Sequence, residues 1–192
     1  AHRELPSFPT RRSADLQNTE LQERLPGFET QLGFGLHLGW SIEGAIGSDQ
    51  KIDASYLSPH VNFTSRLESA TKQYNADILM SGEFVESLSP EMRPSCRKVD
   101  IVTVKGSEYP ITLYTTDLEE PAEFTLLEYY DTFEIAVDHY LAGEWDEAVE
   151  NLTICLDAWP SDKVAETLLA FMAQHDNAAP EDWPGYRSLE SK

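Results

Sequence analysis

From residue 32 onward the apolar positions fall into short blocks that change period along the chain. LGFGLHLGW (32–40) is a nearly continuous apolar, glycine-rich run, as expected of a buried strand, and SIEGAIGS carries it into a turn. KIDASYL (51–57) alternates and reads as the antiparallel partner of that strand. Ser58 followed by Pro59 is a helix start, a hydroxyl N-cap with proline at the first helical position, and the helix should run to about Tyr74. ADILMSG (76–82) is a short strand, EFVESL a short helix and SPEM a turn. CRKVDIVTVKG (96–106) and YPITLYTTDL (109–118) are two β-rich runs joined through GSE, which predicts a hairpin.

Beyond that hairpin the period becomes helical. Leu126–Leu141, Trp145–Leu156 and Lys163–His175 each repeat apolar residues at spacings of three and four, with Trp159-Pro160 separating the last two. The aromatic residues Phe124, Tyr129, Tyr130, Phe133, Tyr140 and Trp145 follow the same spacing and read as core. The tail 176–192 is predicted to be an extended cap or loop. Upstream, NTELQERL (18–25) reads as a helix end closed by Pro26-Gly27. Residues 1–16 show no usable period; FPTRRSADL within them resembles, with one substitution, the translation of a common sequencing adapter. They are read as a non-native or disordered leader. The expected class is α+β, an antiparallel-rich sheet with helices followed by a small helical hairpin unit.

Charge sharpens the division. The chain of 192 residues carries a formal charge of −20, and most of it lies late. Residues 118–192 hold 18 acidic and 3 basic side chains, against 16 and 11 in residues 1–117. A boundary is therefore expected near 118–124, giving domains 17–118 and 119–192. So acidic a chain repels nucleic acid and anionic membrane surfaces, and neither is an expected partner. No window approaches 18 consecutive apolar residues, so no transmembrane segment is expected. The two cysteines, Cys96 and Cys155, form no metal-like cluster and read as free thiols in a reducing, cytoplasmic setting.

The chemistry-bearing positions are few. Asn62 and Arg66 lie four apart on the predicted helix, so their Cβ atoms should be roughly 6 Å apart on one face. His37 in an apolar strand reads as a satisfied core histidine, and His60, His139 and His175 as surface residues. Glu43 and Asp53 are carboxylates near turns, but no histidine or nucleophile supports an acid–base pair. GAIGSDQK lacks the spacing of a Walker-type phosphate loop, and Cys96 lacks an activating partner.

Three segments, GLHLGWSIEGAIGS, KIDASYLSPHVNFTSRLE and VDIVTVKGSEYPITLY, stand in an order and at a spacing that resemble the C-terminal half of a class III nucleotidyl cyclase catalytic domain. The LSPxVN form and the tail ending DWPGYRSLESK are similar to cyclases of unicellular eukaryotes. AGEWDEAVENLTICLDAWPSDKVAETLL resembles one tetratricopeptide-like helix pair, which cannot bury its faces alone and must pack on the preceding domain or on a partner. The resemblance implies a ferredoxin-like core that dimerises head to tail and turns a nucleoside triphosphate, ATP or GTP, into its 3′,5′-cyclic monophosphate and pyrophosphate. It implies two Mg²⁺ or Mn²⁺ ions held by two aspartates of one subunit, with an asparagine and an arginine supplied by the other. By that match Asn62 orients the ribose, Arg66 stabilises charge on the phosphates, Lys105 contacts the terminal phosphates, and Ser55 faces the base. An amide on sugar and a forked guanidinium on phosphate suit a loose phosphoryl-transfer transition state.

The sequence also departs from the family. No metal-binding aspartate motif precedes Leu32, so the chain reads as a fragment that is inactive alone and needs a complementary half or second subunit. Pro59 replaces a common aspartate, Ser58 a common glycine, and Ser55 leaves the base preference open. Parents of similar proteins are often membrane-attached through segments that would precede this chain. The rival expectation is a non-catalytic dimerisation or regulatory module whose helical tail binds a partner. A third is a tetratricopeptide-like scaffold.

Overall fold

The computed structural model describes residues 23–24, 32–48, 51–104, 109–117 and 126–189. The chain divides into two units, 1–32 and 33–192, and every element below belongs to the second. The leader 1–16, most of the helix expected at 18–25 (Glu23 and Arg24 are helical), Lys105, the GSE connection, the 118–124 boundary and Phe124 lie outside the described residues.

Apolar blocks pair into a five-stranded sheet. In chain order its strands are β1 (Phe34–Leu36), β4 (Ile78–Ser81), β5 (Arg97–Val104), β6 (Ile111–Thr115) and β7 (Arg187–Leu189). They lie side by side as β1-β4-β6-β5-β7. The contacts β4/β6 and β5/β6 are antiparallel, whereas β1/β4 and β5/β7 are parallel. A separate two-stranded antiparallel ribbon consists of β2 (Ile42–Ser48) and β3 (Lys51–Leu57). Helices α1 (Pro59–Tyr74) and α2 (Gly82–Ser87) come from the first part of this unit; α3 (Leu126–Ala142), α4 (Trp145–Ala158) and α5 (Lys163–Ala173) come from the second. The architecture is mixed α+β, as the periods imply.

Two expectations are corrected. KIDASYL does not pair with 32–40; it pairs with Ile42–Ser48, residue for residue from Ile42↔Leu57 to Ser48↔Lys51. Gly44 and Gly47 look like turn residues in the sequence, yet they sit inside a strand. LGFGLHLGW forms only the three-residue β1, half-exposed at the sheet edge and parallel to β4. The tail is not merely a cap either: Arg187–Leu189 adds the fifth strand, in parallel register with Val102–Val104. Three residues are too few to show a period, which is why the strand escaped notice.

One continuous core joins the sheet to the later helices. Leu67 and Tyr74 of α1 and Leu79, Val99, Val102 and Leu113 of the sheet share it with Tyr129, Phe133, Val137 and Tyr140 of α3. Trp145, Leu152, Cys155, Leu168 and Met172 complete it from α4 and α5. The helix pair α4–α5 packs on α3 and α1 and through them joins the core of the sheet. Hydrophobic burial drives that contact, but it is non-directional; polar pairs fix how the helices sit.

The principal pair is Arg97 with Asp162. Arg97 Nη1 donates to Asp162 Oδ2 at 2.6 Å and Nη2 to Oδ1 at 2.9 Å, a bidentate fork between side chains that are both 1% exposed. Nη2 also reaches Asp117 Oδ1 at 3.1 Å, and Nε lies 2.8 Å from Asp117 Oδ2 without hydrogen-bond alignment. The guanidinium lies over the Phe133 ring, 4.3 Å from its centroid. Asp162 is also the N-cap of α5, accepting from the Val164 and Ala165 amides, and it accepts a hydrogen bond from the Tyr129 hydroxyl. Burial alone would raise its pKa, but the Arg97 hydrogen bonds and charge outweigh burial and hold the carboxyl below its ordinary value.

A second buried knot pins the tail. A register shift between Lys98 and Asp100 puts the neighbouring residues Val99 and Asp100 both out of solvent. Asp100 Oδ2 accepts from Tyr74 Oη and from Arg187 Nε, each at 2.6 Å. The Arg187 guanidinium lies 4.7 Å from the Tyr74 ring centroid and 4.4 Å from that of Phe171. Trp183 Nε1 donates to Leu141 O at 3.1 Å.

Removing one member of a fully buried ion pair strands the other, at a typical cost of about 3–5 kcal/mol. Asp162→Ala also removes the α5 cap. It should lower the unfolding free energy by about that amount in equilibrium urea titrations. A loss below about 1 kcal/mol, the scale of an exposed pair, would show that Arg97–Asp162 does not hold the helices to the sheet.

Candidate active site

The helix that carries Asn62 and Arg66 is specified locally at both ends. Ser58 has extended backbone (φ −168°, ψ 163°) and its Oγ accepts from Val61 N at 3.1 Å. Pro59 follows at the first turn, where no amide proton is missed. Asn75 closes the helix in the left-handed region at φ 50°. Phe63, Leu67, Ala70, Thr71 and Tyr74 form the buried stripe. Asn62 and Arg66 each precede a buried residue by one position, so they share the flank beside that stripe. Asn62 is exposed and Arg66 half-exposed. Neither side chain is held by a hydrogen bond or ion pair among the described residues. An amide and a guanidinium thus stand on one face with their donors free.

Ser55 sits half-buried on β3, directly opposite Gly44. Nothing lies within 4 Å of where a Gly44 Cβ would be, so the space beside Ser55 is open. The strand ends at Leu57 and the Ser58 cap follows at once, so Ser55 and Asn62 lie on consecutive elements with one residue between them. Lys105, expected at the phosphate end, immediately follows β5 and lies outside the described residues.

The ribbon around Ser55 is unusually apolar for a solvent-facing surface. In the observed register one face carries Ile42, Leu57, Gly44, Ser55, Ile46 and Asp53. Ile42, Leu57 and Ile46 on that face are 62%, 65% and 58% exposed. Glu43 and Tyr56 are paired on the opposite face, where the Tyr56 hydroxyl donates to Glu43 Oε1 at 3.3 Å. Glu43 and Asp53 are therefore not brought together, and Asp53 pairs instead with Lys51 at 2.9 Å.

Behind the helix, β1 runs very close. A Cβ on Gly35 would lie 2.6 Å from both Glu68 N and Thr64 O, so only glycine allows this approach. The two histidines of this region are joined. His37 Nε2 lies 2.8 Å from His60 Nδ1, and His37 Nδ1 lies 2.7 Å from Ser81 Oγ. His37 is satisfied as expected, but His60 is half-buried and bonded rather than a surface residue. The contact joins positions 23 apart, so no local spacing reveals it. His139 is likewise engaged, with Glu144 at 2.6 Å, while His175 is exposed. Burial pushes the Cys96 thiol up, away from thiolate reactivity.

The described residues do not fit a two-metal centre. No group of three or more His, Cys, Asp or Glu side chains among them could hold an ion, and the ribbon carboxylates Asp53 and Glu43 are engaged by Lys51 and Tyr56.

This fold and this pair of donors agree with the relationships of the sequence. Residues 14–117, more than half of the chain, match the family described as the adenylate and guanylate cyclase catalytic domain, and the chain belongs to that family. It is 37% identical over 84 residues to an adenylate cyclase of Anabaena cylindrica, covering 43% of this chain and 17% of that protein. It is 27% identical over 136 residues to the terminal-differentiation specific adenylate cyclase of Dictyostelium discoideum, covering 69% and 6%. Over 90 residues it is 29% identical to adenylate cyclase 1 of Rhizobium meliloti (strain 1021), covering 47% and 13%. The chain thus spans less than a fifth of the length of these relatives.

The two glycines give opposite expectations. Gly35→Ala forces β1 and α1 apart and should cost about 1–3 kcal/mol, as overpacking does. Gly44→Ala should change stability by no more than about 0.5 kcal/mol. Urea unfolding of both variants checks the pair; equal effects would mean that β1 does not brace the helix through Gly35.

Proposed function

We propose that this chain forms the C-terminal, ribose- and phosphate-contacting part of a class III cyclase catalytic centre, of the type found in unicellular eukaryotes. The reaction is the formation of a 3′,5′-cyclic nucleotide and pyrophosphate from ATP or GTP, in cyclic-nucleotide signalling. The observation that carries this reading is Asn62 and Arg66, unengaged on one face of a helix braced from behind, within a chain of the cyclase family.

On this reading Asn62 hydrogen-bonds the ribose and fixes the sugar for attack by its own 3′-hydroxyl. Because nucleophile and phosphate belong to one molecule, positioning does much of the work. The Arg66 guanidinium forks onto phosphate oxygens as charge builds on them. Ser55, with open space beside Gly44, takes the base edge, and Lys105 meets the terminal phosphates. The ferredoxin-like core and the two Mg²⁺ or Mn²⁺ ions belong to the same proposal. Those ions offset phosphate charge when bound, and their aspartates come from a complementary half or a second subunit.

The apolar ribbon supports the dimeric part. An isolated two-stranded hairpin is marginal in water, and an exposed apolar face rimmed by polar residues marks a surface that a partner covers. Ile42, Ile46 and Leu57 surround Ser55, so a second subunit seated there would close the site from outside. The rival reading, a regulatory module with a partner-binding tail, is less favoured because the buried residues of α3–α5 already share one core with the sheet and α1. A cytoplasmic setting is proposed alongside. No helix among the described residues is long and apolar enough to cross a membrane.

The decisive measurement is cyclic-nucleotide formation by this chain supplemented with a complementary cyclase half. Activity should require Mg²⁺ or Mn²⁺, and Asn62→Ala or Arg66→Ala should each lower kcat by about 10²–10³. Undiminished turnover in the double variant would refute both assignments. For the ribbon, Ile42→Lys with Ile46→Lys should weaken self-association or assembly at least about tenfold in sedimentation, with unchanged circular dichroism. Unaltered assembly would place the interface elsewhere.

A further inference from the structure

His60 stands in the first turn of the site helix, two residues before Asn62. Its ring fills the space left at Gly39, where a Cβ would lie 2.1 Å from His60 Cγ. Trp40 meets it edge-on at 5.8 Å. His60 is therefore wedged between the helix start and the segment that leads from β1 into the ribbon. Its Nδ1 faces His37 Nε2 at 2.8 Å, and the His37 side chain is only 4% exposed. Phe63 closes over His37 at 4.6 Å. Three parts thus converge on one nitrogen–nitrogen contact: the sheet edge through His37, the ribbon base through Trp40, and the site helix through His60.

That contact holds a single proton. With both rings neutral, one nitrogen donates and the other accepts. Ser81 Oγ, which already accepts from Phe84 N at 3.3 Å, can give or take the proton at His37 Nδ1 in either tautomer. One added proton on His60 leaves the bond intact, with His60 as donor. A second, on His37, points two N–H groups at each other and puts two positive rings in contact. The opposing charge is Glu83, whose carboxylate lies 3.8 Å from His37 Nδ1 and is half exposed to solvent.

We propose that His37 and His60 are a proton-sensitive positioning pair: while His37 is neutral they hold the first turn of the site helix against the ribbon base, and double protonation releases it. The proposal rests on the reading of Asn62 and Arg66 as substrate contacts only for its effect on turnover. Burial holds the His37 pKa below its ordinary value, Glu83 opposes this, and His60 adds to it. The sign follows. The unfolded chain takes up the His37 proton first, near pH 6.5, so the stabilisation is complete above that pH and declines as pH falls below it.

The test is amide hydrogen exchange of the full chain at pH 7.5 and 5.5, corrected for intrinsic rates, with ¹⁵N titration of the two imidazoles. In the wild type, protection across residues 61–66 should fall several-fold between the two pH values, approaching about tenfold the further the His37 pKa is depressed. In the double variant His37→Gln with His60→Asn, which carries no imidazole there, the loss should stay below about twofold. Protection that does not change with pH in the wild type, or imidazoles that titrate independently of each other, overturns the pair even if a variant fails to fold. With the complementary half supplied, the wild-type acid limb of kcat should follow the exchange and flatten in the double variant. If no cyclic nucleotide forms but exchange behaves as expected, the cyclase reading fails and the positioning pair stands.

Discussion

The structure depends on one buried charge being answered by two carboxylates. Arg97 enters the core from the first residue of β5, where an unpaired guanidinium would be prohibitive. Its answer comes from two places far apart in sequence, Asp117 just after β6 and Asp162 at the start of α5. Sheet and helices therefore cannot each reach their final form independently. The Arg97 end of β5 is satisfied only when α5 is docked, and the α5 cap is completed only with Asp162 in place. The aromatic walls, Tyr129, Tyr130, Phe133 and Trp159, exclude water from the pair and strengthen it by lowering the local dielectric.

The same logic reaches the site helix from its far end. Tyr74, the last residue of α1, donates to Asp100, and Asp100 is held by Arg187 of the final strand. Glycine contact with β1 lies along its middle, and the His60 contact lies at its start. A helix fixed at both ends and along its back can present Asn62 and Arg66 with little freedom of orientation. Such preorganisation matters most where charge develops during reaction, because groups already in place need not reorganise. It also gives the acidic extension a structural purpose, since β7 and Phe171 supply the groups that secure Tyr74.

Much of this was legible in the sequence wherever the signal was local. The Ser58-Pro59 start, the helix through Tyr74, the 97–104 and 111–115 hairpin strands and the three later helices all follow from period and capping. The shared flank of Asn62 and Arg66 follows from a spacing of four. What escaped was decided by partners remote in sequence. Gly44 and Gly47 suggest a turn, and only pairing with 51–57 makes that segment a strand. Arg187–Leu189 is too short to show alternation, and its place is set by Asp100, 87 residues earlier. His60 looks like any surface histidine until the fold brings His37 to it.

The uneven charge takes on a specific meaning at β5. Arg97 meets Asp162 and Asp117, and Lys98 meets Asp138 and Glu134 of α3. Two residues on, the polarity reverses: Asp100 accepts from Arg187, one of the three basic residues after position 117. The strand is therefore read by the extension as plus, plus, minus, and a shifted docking would bring like charges together or leave a buried charge alone. The exposed Lys98 contacts add little stability, since solvent screens them. The buried contacts at Arg97 and Asp100 set the register, because an error there would carry the full desolvation penalty. Hydrophobic burial thus drives the helices onto the sheet, and the charge pattern along one strand allows a single alignment, the one that places Tyr74 and hence the site helix.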